Sequence, residues 1–531
     1  MQTDYDVIIV GGGPTGLSVG SELSKKVKVL VVDRKVAPVG GPPEHLGPMN
    51  NFLINRPTET TKTWFVPKDS FFDNKDLLPC RHPYGVVRYL AKTFSGRNRD
   101  TDDFDIEWFA KQYPGPDIFE SYPYVSEGKV MPYWRELITN SPTGSEVKYG
   151  RFYRDHTVEK EKVTVCFLKT LPDKPHARLR SYTCRLLLDC SGVDSGILQD
   201  YEIEPNKSYY WSVFGALVRH PEGQIDPDPH GTKRLRIGDY MLWQTFADTN
   251  IDKNDSVRRG RPIFEYEVLD ERVSFPLILY LRPQKVDKEY MKAEFLDILH
   301  NHPETKEFHD VEIEEFKYGW YPSGGITLAA CRDRVDFIGD AGSWTTPCGW
   351  GMGFILKNYK PYARALLPLI LKDRLDKKSL ESVLKLKSYQ KTQFLLNKLA
   401  TYFLANASAP QFDKFIELFH TIDPIICEKV FTLTVAPHEI ITALRAGARV
   451  FTLREVLGIV PRREYWSFIK DFMRLGGELI PAGLYYLIHG EWPVKKRDFC
   501  VFGDEGDPGT GTDFRGEKSA AQTAAPPPAA A

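Results

Sequence analysis

The sequence has no surplus of charge of either sign: 70 Lys and Arg stand against 71 Asp and Glu, a formal net charge of −1. Without a long-range field there is nothing to draw in a polyanion, so nucleic-acid binding is excluded from the candidate functions. Long apolar runs are missing too. The longest, Tyr362–Leu371 and Leu479–Ile488, fall well short of the ~20 residues that a bilayer crossing needs. The first strand candidate starts at about Tyr5, which leaves no room ahead of it for a targeting peptide. Cysteine is scarce and scattered. Cys80, Cys166, Cys184, Cys190, Cys331, Cys348, Cys427 and Cys500 form no C-x-x-C pair, which speaks against a disulfide framework and a thiolate metal site. His300, His302 and His309 lie close together without a supporting carboxylate pattern and read as solvated histidines rather than ligands. No metal is expected, and the cytoplasm is the expected compartment.

What is present suits a folded chain with a sizeable core: 42% of residues are hydrophobic and 27% charged. A length of 531 residues exceeds what one core usually serves, so two or three structural units are expected. Residues 5–34 read as strand (Tyr5–Val10), glycine-rich turn, helix (Pro14–Ser24) and strand (Lys28–Val32), one βαβ unit. Pro, Gly, Asn and aromatics dominate 35–130, with a helix expected over Tyr84–Phe94. β-like alternation follows in Lys162–Leu168, Arg185–Asp189, Phe264–Val268 and Phe275–Leu281. Beyond the strand candidate Val335–Ile338 the pattern is helical to about residue 490, as in Tyr389–Leu404 and Gln411–Phe419. Residues 503–531, rich in Gly, Pro and Ala, cannot bury enough apolar area to order themselves.

The run DVIIVGGGPTG sets Gly11, Gly13 and Gly16 in a G-x-G-x-x-G pattern between an apolar strand and a helix that opens on Pro14 and Thr15. That context fits a dinucleotide. Gly11 permits the tight turn, Gly13 lets backbone approach a pyrophosphate, Gly16 allows close helix–strand packing, and the helix N-terminus faces the phosphates. Asp33, with Arg34 beside it, closes the unit where an acid can accept hydrogen bonds from a ribose.

Far downstream stands RDRVDFIGDAGSWTTPCGWGMG, residues 332–353. Gly339, Asp340, Gly349, Gly351 and Met352 in this stretch resemble the second FAD motif of glutathione-reductase-like flavoproteins. The resemblance implies that Asp340 holds a ribitol hydroxyl and that a helix starting near Gly351 points its positive end at the isoalloxazine, where reduced flavin carries negative charge. Leu186–Gly192 (LLLDCSG) resembles the strand and turn that these proteins place beside FAD. Tyr321-Pro322-Ser323-Gly324-Gly325, Arg334 and FIGDAGSWTTPCGWG resemble the lycopene cyclase and geranylgeranyl reductase branch. Arg88 in GVVRYLAKTF resembles a flavin-contacting arginine of aromatic hydroxylases, with a surface arginine the plain alternative.

The resemblance implies an α/β architecture: a Rossmann-type FAD-binding domain with an inserted β-sheet substrate domain and a helical C-terminal region. The expected divisions are 1–130 and 331–372 for the FAD-binding parts, 131–330 for return strands and substrate sheet, 373–502 for the helical region and 503–531 for the tail. It implies FAD as cofactor, NAD(P)H or a reductase partner as electron donor, and a lipophilic, isoprenoid- or polyene-like substrate that is reduced or cyclised. A monooxygenase or halogenase, and a non-catalytic prenyl-binding protein, are the alternatives. Lycopene cyclases carry an acidic segment ahead of their Pro-x-Gly-Gly element, whereas the comparable strand here, Phe275–Tyr280, has no carboxylate. A proton would have to come from Tyr280, from a nearby carboxylate or from bound water, unless the reaction needs no acid; Glu265, Glu267, Asp270 and Glu271 lie nearby and read as a solvated charge cluster. Trp344, Trp350 and Phe275 are the expected walls of a substrate cavity, and Cys348 a thiol within it. The segment FMRLGGELIPAGLYYLIHGEW is expected to pack on the body, cap that cavity or make a peripheral contact with a membrane.

Overall fold

The computed structural model describes residues 3–35, 63–65, 124–171, 174–193, 195–203, 209–228, 232–236, 240–244, 262–268, 271–323, 331–344, 351–383, 388–407, single positions between 411 and 426, and 437–490. Two sheets organise them. The first is built around β1 (Tyr5–Val10), whose apolar residues after Asp6 are buried on both faces. Helix α1 (Pro14–Leu23) carries the chain over to β2 (Val29–Val32), which lies parallel to β1. The short β3 (Thr63–Phe65) and β4 (Tyr124–Ser126) pair apart from this sheet, and α2 (Glu127–Thr139) leads to β5 (Glu146–Lys148), parallel to β2. β6 (Arg151–Val158), β7 (Val163–Leu171) and β8 (Lys174–Asp189) form an antiparallel meander. The end of β8 then runs parallel to β1 on one side and to β16 (Val335–Phe337) on the other.

The order β5-β2-β1-β8, with β16 outside β8, reverses direction between β1 and β8. A doubly wound sheet opens its ligand crevice at that reversal, beyond the carboxyl ends of the strands. The sheet is covered on one face by α1, α2, α5 (Gly351–Leu371) and α6 (Lys377–Val383). Its other face is covered by a second apolar layer that includes α3 (Gly196–Asp200). Leu375, Leu380 and Val383 belong to the first of these cores, so the body of the first sheet continues through α6.

The second sheet is antiparallel throughout. Its strands are β9 (Tyr209–Arg219), β12 (Tyr240–Gln244), β13 (Ile263–Val268), β14 (Val273–Arg282) and β15 (Glu312–Ser323), in the order β12-β13-β14-β9-β15. Between its first two strands, β10 (Ile225–Asp226) and β11 (Leu235–Arg236) make a small ladder. Strand parity divides its residues between two cores. One face, with Phe214, Ile278 and Tyr280, packs under α4 (Lys288–Asn301). The other, with Trp211, Leu277, Leu279 and Leu281, packs under α7 (Ser388–Asn406), α8 (Pro437–Val450), α9 (Leu453–Ile459) and α10 (Tyr465–His489). Among the described residues no helix is long and apolar enough to cross a membrane.

Candidate functional site: a dinucleotide cradle

At the reversal point the backbone leaves no choice of residue. Gly11 has φ +109°, and a Cβ there would lie 2.2 Å from the Cys190 carbonyl oxygen at the end of β8. The strands are sewn together just here, with Gly11 N donating to Val32 O (2.8 Å) and Cys190 N to Val10 O (2.7 Å). A Cβ on Gly16 would come within 1.9 Å of the Gly11 carbonyl oxygen, so only glycine lets α1 start so close to the turn. Gly13 differs. It is the N-cap of α1, it has no side-chain cap, and among the described residues nothing stands within 4 Å of where its Cβ would be. Orphan N–H groups, the positive end of a helix dipole and open space directly above them are what a pyrophosphate requires.

Asp33 holds this turn in shape. Its Oδ2 accepts from Gly12 N (2.8 Å) and its Oδ1 from Lys35 N (2.8 Å), and the side chain is buried. The acid expected to reach a ribose therefore braces the glycine turn first. Arg34 beside it is exposed.

The two motifs, more than three hundred residues apart in sequence, meet at Thr15. Gly339 has φ +66°, and a Cβ on it would lie 2.6 Å from Thr15 Oγ1, in the first turn of α1. Asp340, half-buried, is the next residue in the chain. The turn is closed by Ser343 N donating to Asp340 O (3.1 Å) and Trp344 N to Gly339 O (2.8 Å). A Cβ on Gly342 would sit 2.3 Å from the Phe337 carbonyl oxygen, which makes glycine obligatory there as well. Gly351 and Met352 open α5, which packs along α1.

The third stretch, LLLDCSG, is a built turn as well. Asp189 accepts from Ser191 N (2.9 Å), Ser191 Oγ (2.6 Å) and Ser195 Oγ, while its own carbonyl accepts from Ile338 N (2.9 Å). Burial pushes the Asp189 carboxyl up to about 6. Asp336, which accepts from Tyr362 Oη (2.7 Å) and Phe337 N (2.8 Å), is pushed to about 6 for the same reason. Burial, with both carboxylates nearby, holds the Cys190 thiol far above its ordinary range, so it is no thiolate at neutral pH.

Several expected site residues have other roles. Tyr280 is fully buried on the α4 face of the second sheet, where its hydroxyl donates to Glu294. It points away from the α7 side on which the cavity was placed, because one step along a strand reverses the face. Trp344 is a buried core residue packed edge-on against Tyr362 at 5.0 Å. Arg334 forks onto Asp373 (2.9 and 2.8 Å) and donates to the Lys160 and Arg185 carbonyls, a structural clamp that keeps its charge away from the cradle. The three histidines are not solvated: His302 is buried, and both His300 and His309 bond to backbone carbonyls. Phe275 stays on the α7 side, half-buried. Arg88, Cys348, Gly349 and Trp350, together with the Tyr84–Phe94 helix, Gly324, Gly325 and the 503–531 tail, lie outside the described residues.

One pair was missed. Trp211 and Tyr321 stack at 6.2 Å where β9 begins and β15 ends, the margin of the second sheet from which the chain returns to β16. Trp211 is 3% exposed, and among the described residues its indole N–H has no hydrogen-bond acceptor. A buried donor without a partner costs about 1–3 kcal/mol unless a ligand satisfies it. The signal was the aromatic run Tyr209–Trp211 together with Tyr321.

A family model, that of the Thi4 family, matches residues 2–59, the stretch that holds the first cradle. A comparison of the sequence with curated proteins gives no significant match. Among solved structures, the chain resembles a geranylgeranyl bacteriochlorophyll reductase-like protein from Thermoplasma acidophilum, with a TM-score of 0.55 and 12% identity over 84% of this chain and 99% of that one. A mutant of the halogenase PltM in complex with FAD gives a TM-score of 0.51 and 12% identity over 92% of each chain. These likenesses establish the fold. It is the Rossmann-type FAD-binding fold with a second sheet and a helical C-terminal region.

Proposed function

We propose that the protein is an FAD-dependent oxidoreductase whose substrate is a lipophilic small molecule, isoprenoid- or polyene-like. The observation that carries the cofactor is the meeting of two glycine turns at Thr15 and Gly339, with open space over Gly13 and Asp340 next to Gly339 in the chain. Gly13 and the first turn of α1 would hold the pyrophosphate, Asp33 would keep that turn rigid, and Asp340 would accept a ribitol hydroxyl. The bound flavin supplies the electron transfer. The protein's part is to orient the two reactants and exclude water. Trp211, Tyr321, Leu279 and Leu281 offer a largely apolar wall, to which the Trp211 indole N–H adds a buried donor. Such a wall favours a substrate with little to hydrogen-bond, in keeping with the geranylgeranyl reductase-like neighbour. NAD(P)H or a reductase partner is the proposed electron source.

The test is to load the protein with FAD and titrate it with geranylgeraniol while following the flavin spectrum. A saturable perturbation that Trp211→Phe weakens supports the reading. FAD-loaded protein that responds to small phenols and not to the polyprenol would place the aromatic-hydroxylase reading ahead.

A further inference from the structure

Helix α10 has two apolar faces and only one is used. Phe468 and Leu475, two turns apart, are buried against the layer that covers the second sheet. On the opposite side, Trp466, Met473, Ile480 and Leu487 recur at the same interval and are 83%, 65%, 65% and 78% exposed. Ile469 and Leu484 fill the stripe between them and are exposed as well. A helix of a folded domain does not carry a second apolar stripe into water without an occupant for it.

Two observations say what that occupant is. In the last turn and a half, Leu484, Tyr485, Tyr486, Leu487 and Ile488 are exposed around the whole circumference of the helix. A protein groove covers one side of a helix, whereas a tip that is apolar all round is matched by a medium that surrounds it. The second observation is the sorting of charge. In α8–α10 and their connections, Arg445, Arg449, Arg454, Arg462, Arg463 and Lys470 are all exposed. The described acids of the same region are buried or paired. Glu439 is buried, Glu455 is paired with Lys414, Lys398 holds Glu464 and Asp471 at 3.8 and 3.5 Å, and Glu464 also reaches Arg463 at 4.0 Å. A chain of net charge −1 thus shows a basic surface around its exposed apolar helix. We infer that α10 docks on the surface of an anionic bilayer, lying in the interface with its tip immersed and the arginines and Lys470 at headgroup level. This contact requires no membrane span and does not rest on the flavin reading, although it would bring the chain to the phase in which a lipophilic substrate dissolves.

Flotation of the full-length protein with vesicles tests it. Binding to phosphatidylcholine vesicles that contain phosphatidylserine, weakened by salt and much reduced without the anionic lipid, is the expected result. Leu487→Ser with Ile488→Ser should lower the bound fraction at least tenfold or so, since two exposed side chains lose the burial they gain in lipid. Their melting temperature should stay at the parent value, because neither packs on the body. Arg462→Glu with Arg463→Glu should remove the preference for phosphatidylserine. Failure of the parent protein to float, or undiminished flotation of the Leu487→Ser, Ile488→Ser protein, overturns the inference. So does a concentration-dependent dimer in light scattering that the same two substitutions abolish, because the stripe would then belong to a second copy.

Discussion

The two sheets constrain their residues in different ways. In the first, residue identity is dictated by backbone geometry: Gly11, Gly16, Gly339 and Gly342 each sit where a Cβ would strike a main-chain or neighbouring atom at 2.6 Å or less. In the second, Gly215 is held in the same way, a Cβ there lying 2.5 Å from Leu277 Cβ, but along most of its strands what matters is which face each side chain takes. Function is legible where the backbone excludes alternatives and obscure where parity alone decides. Substitutions in the two sheets should therefore fail in different ways.

The largest effect is expected within the first cradle. Gly16→Val places methyl groups where the Gly11 carbonyl already stands and should prevent folding or cost many degrees of melting temperature, even without FAD. Gly13→Val, with nothing among the described residues within 4 Å, should fold as well as the parent chain. Comparable melting temperatures for the two variants would break the distinction between packing and ligand glycines.

Next comes Asp33→Ala. It removes the acceptor of two backbone N–H groups in a buried turn and should cost about 3 kcal/mol, on the scale of hydrogen bonds to a charged group. A loss confined to FAD affinity, with unchanged stability of the FAD-free chain, would return Asp33 to a ribose-binding role.

In the second sheet the contrast is between neighbours of opposite parity. Tyr280→Phe should lower stability by about 1 kcal/mol or more, by taking a partner from Glu294 in the core, and leave turnover unchanged. Trp211→Phe should do the reverse, weakening ligand binding at little cost in hydrogen bonding, because among the described residues its N–H has no acceptor to lose. Turnover that falls with Tyr280→Phe while flavin stays bound would restore the original cavity.

The smallest effect concerns pH. Asp189 and Asp336 hold their protons to about pH 6 in the native protein, whereas the unfolded chain releases them near pH 4. Between those values the unfolded state binds fewer protons, so stability falls as pH rises through the window. Asp336→Asn removes one of the two contributions. Its melting temperature relative to the parent should climb from about pH 4 to about pH 6 and then level off. A flat difference across that range would show that Asp336 is ionised in the native state.

Much of the first sheet could be read beforehand because apolar strands, obligatory glycines and helix start signals all point to one arrangement. The strands expected over Tyr5–Val10 and Phe275–Leu281 appear as Tyr5–Val10 and Val273–Arg282. Asp33 was placed correctly in the chain but given the wrong first partner, since nothing in the spacing reveals that Gly12 N lies within reach. Tyr280 and Trp344 were misread for a common reason: a large side chain in an apolar run looks the same whether it faces a cavity or a core. Arg334 shows the same limit for charge, because its partner Asp373 lies across α5 and leaves no local trace.

The central claim is that the open space over Gly13 is a dinucleotide site, and thermal unfolding of the FAD-free chain with increasing FAD tests it most directly. The account predicts a melting temperature that rises with FAD for the parent protein and stays fixed for Gly13→Val, from the same starting value. A parent protein indifferent to FAD, or a Gly13→Val protein stabilised as much as the parent, would contradict it.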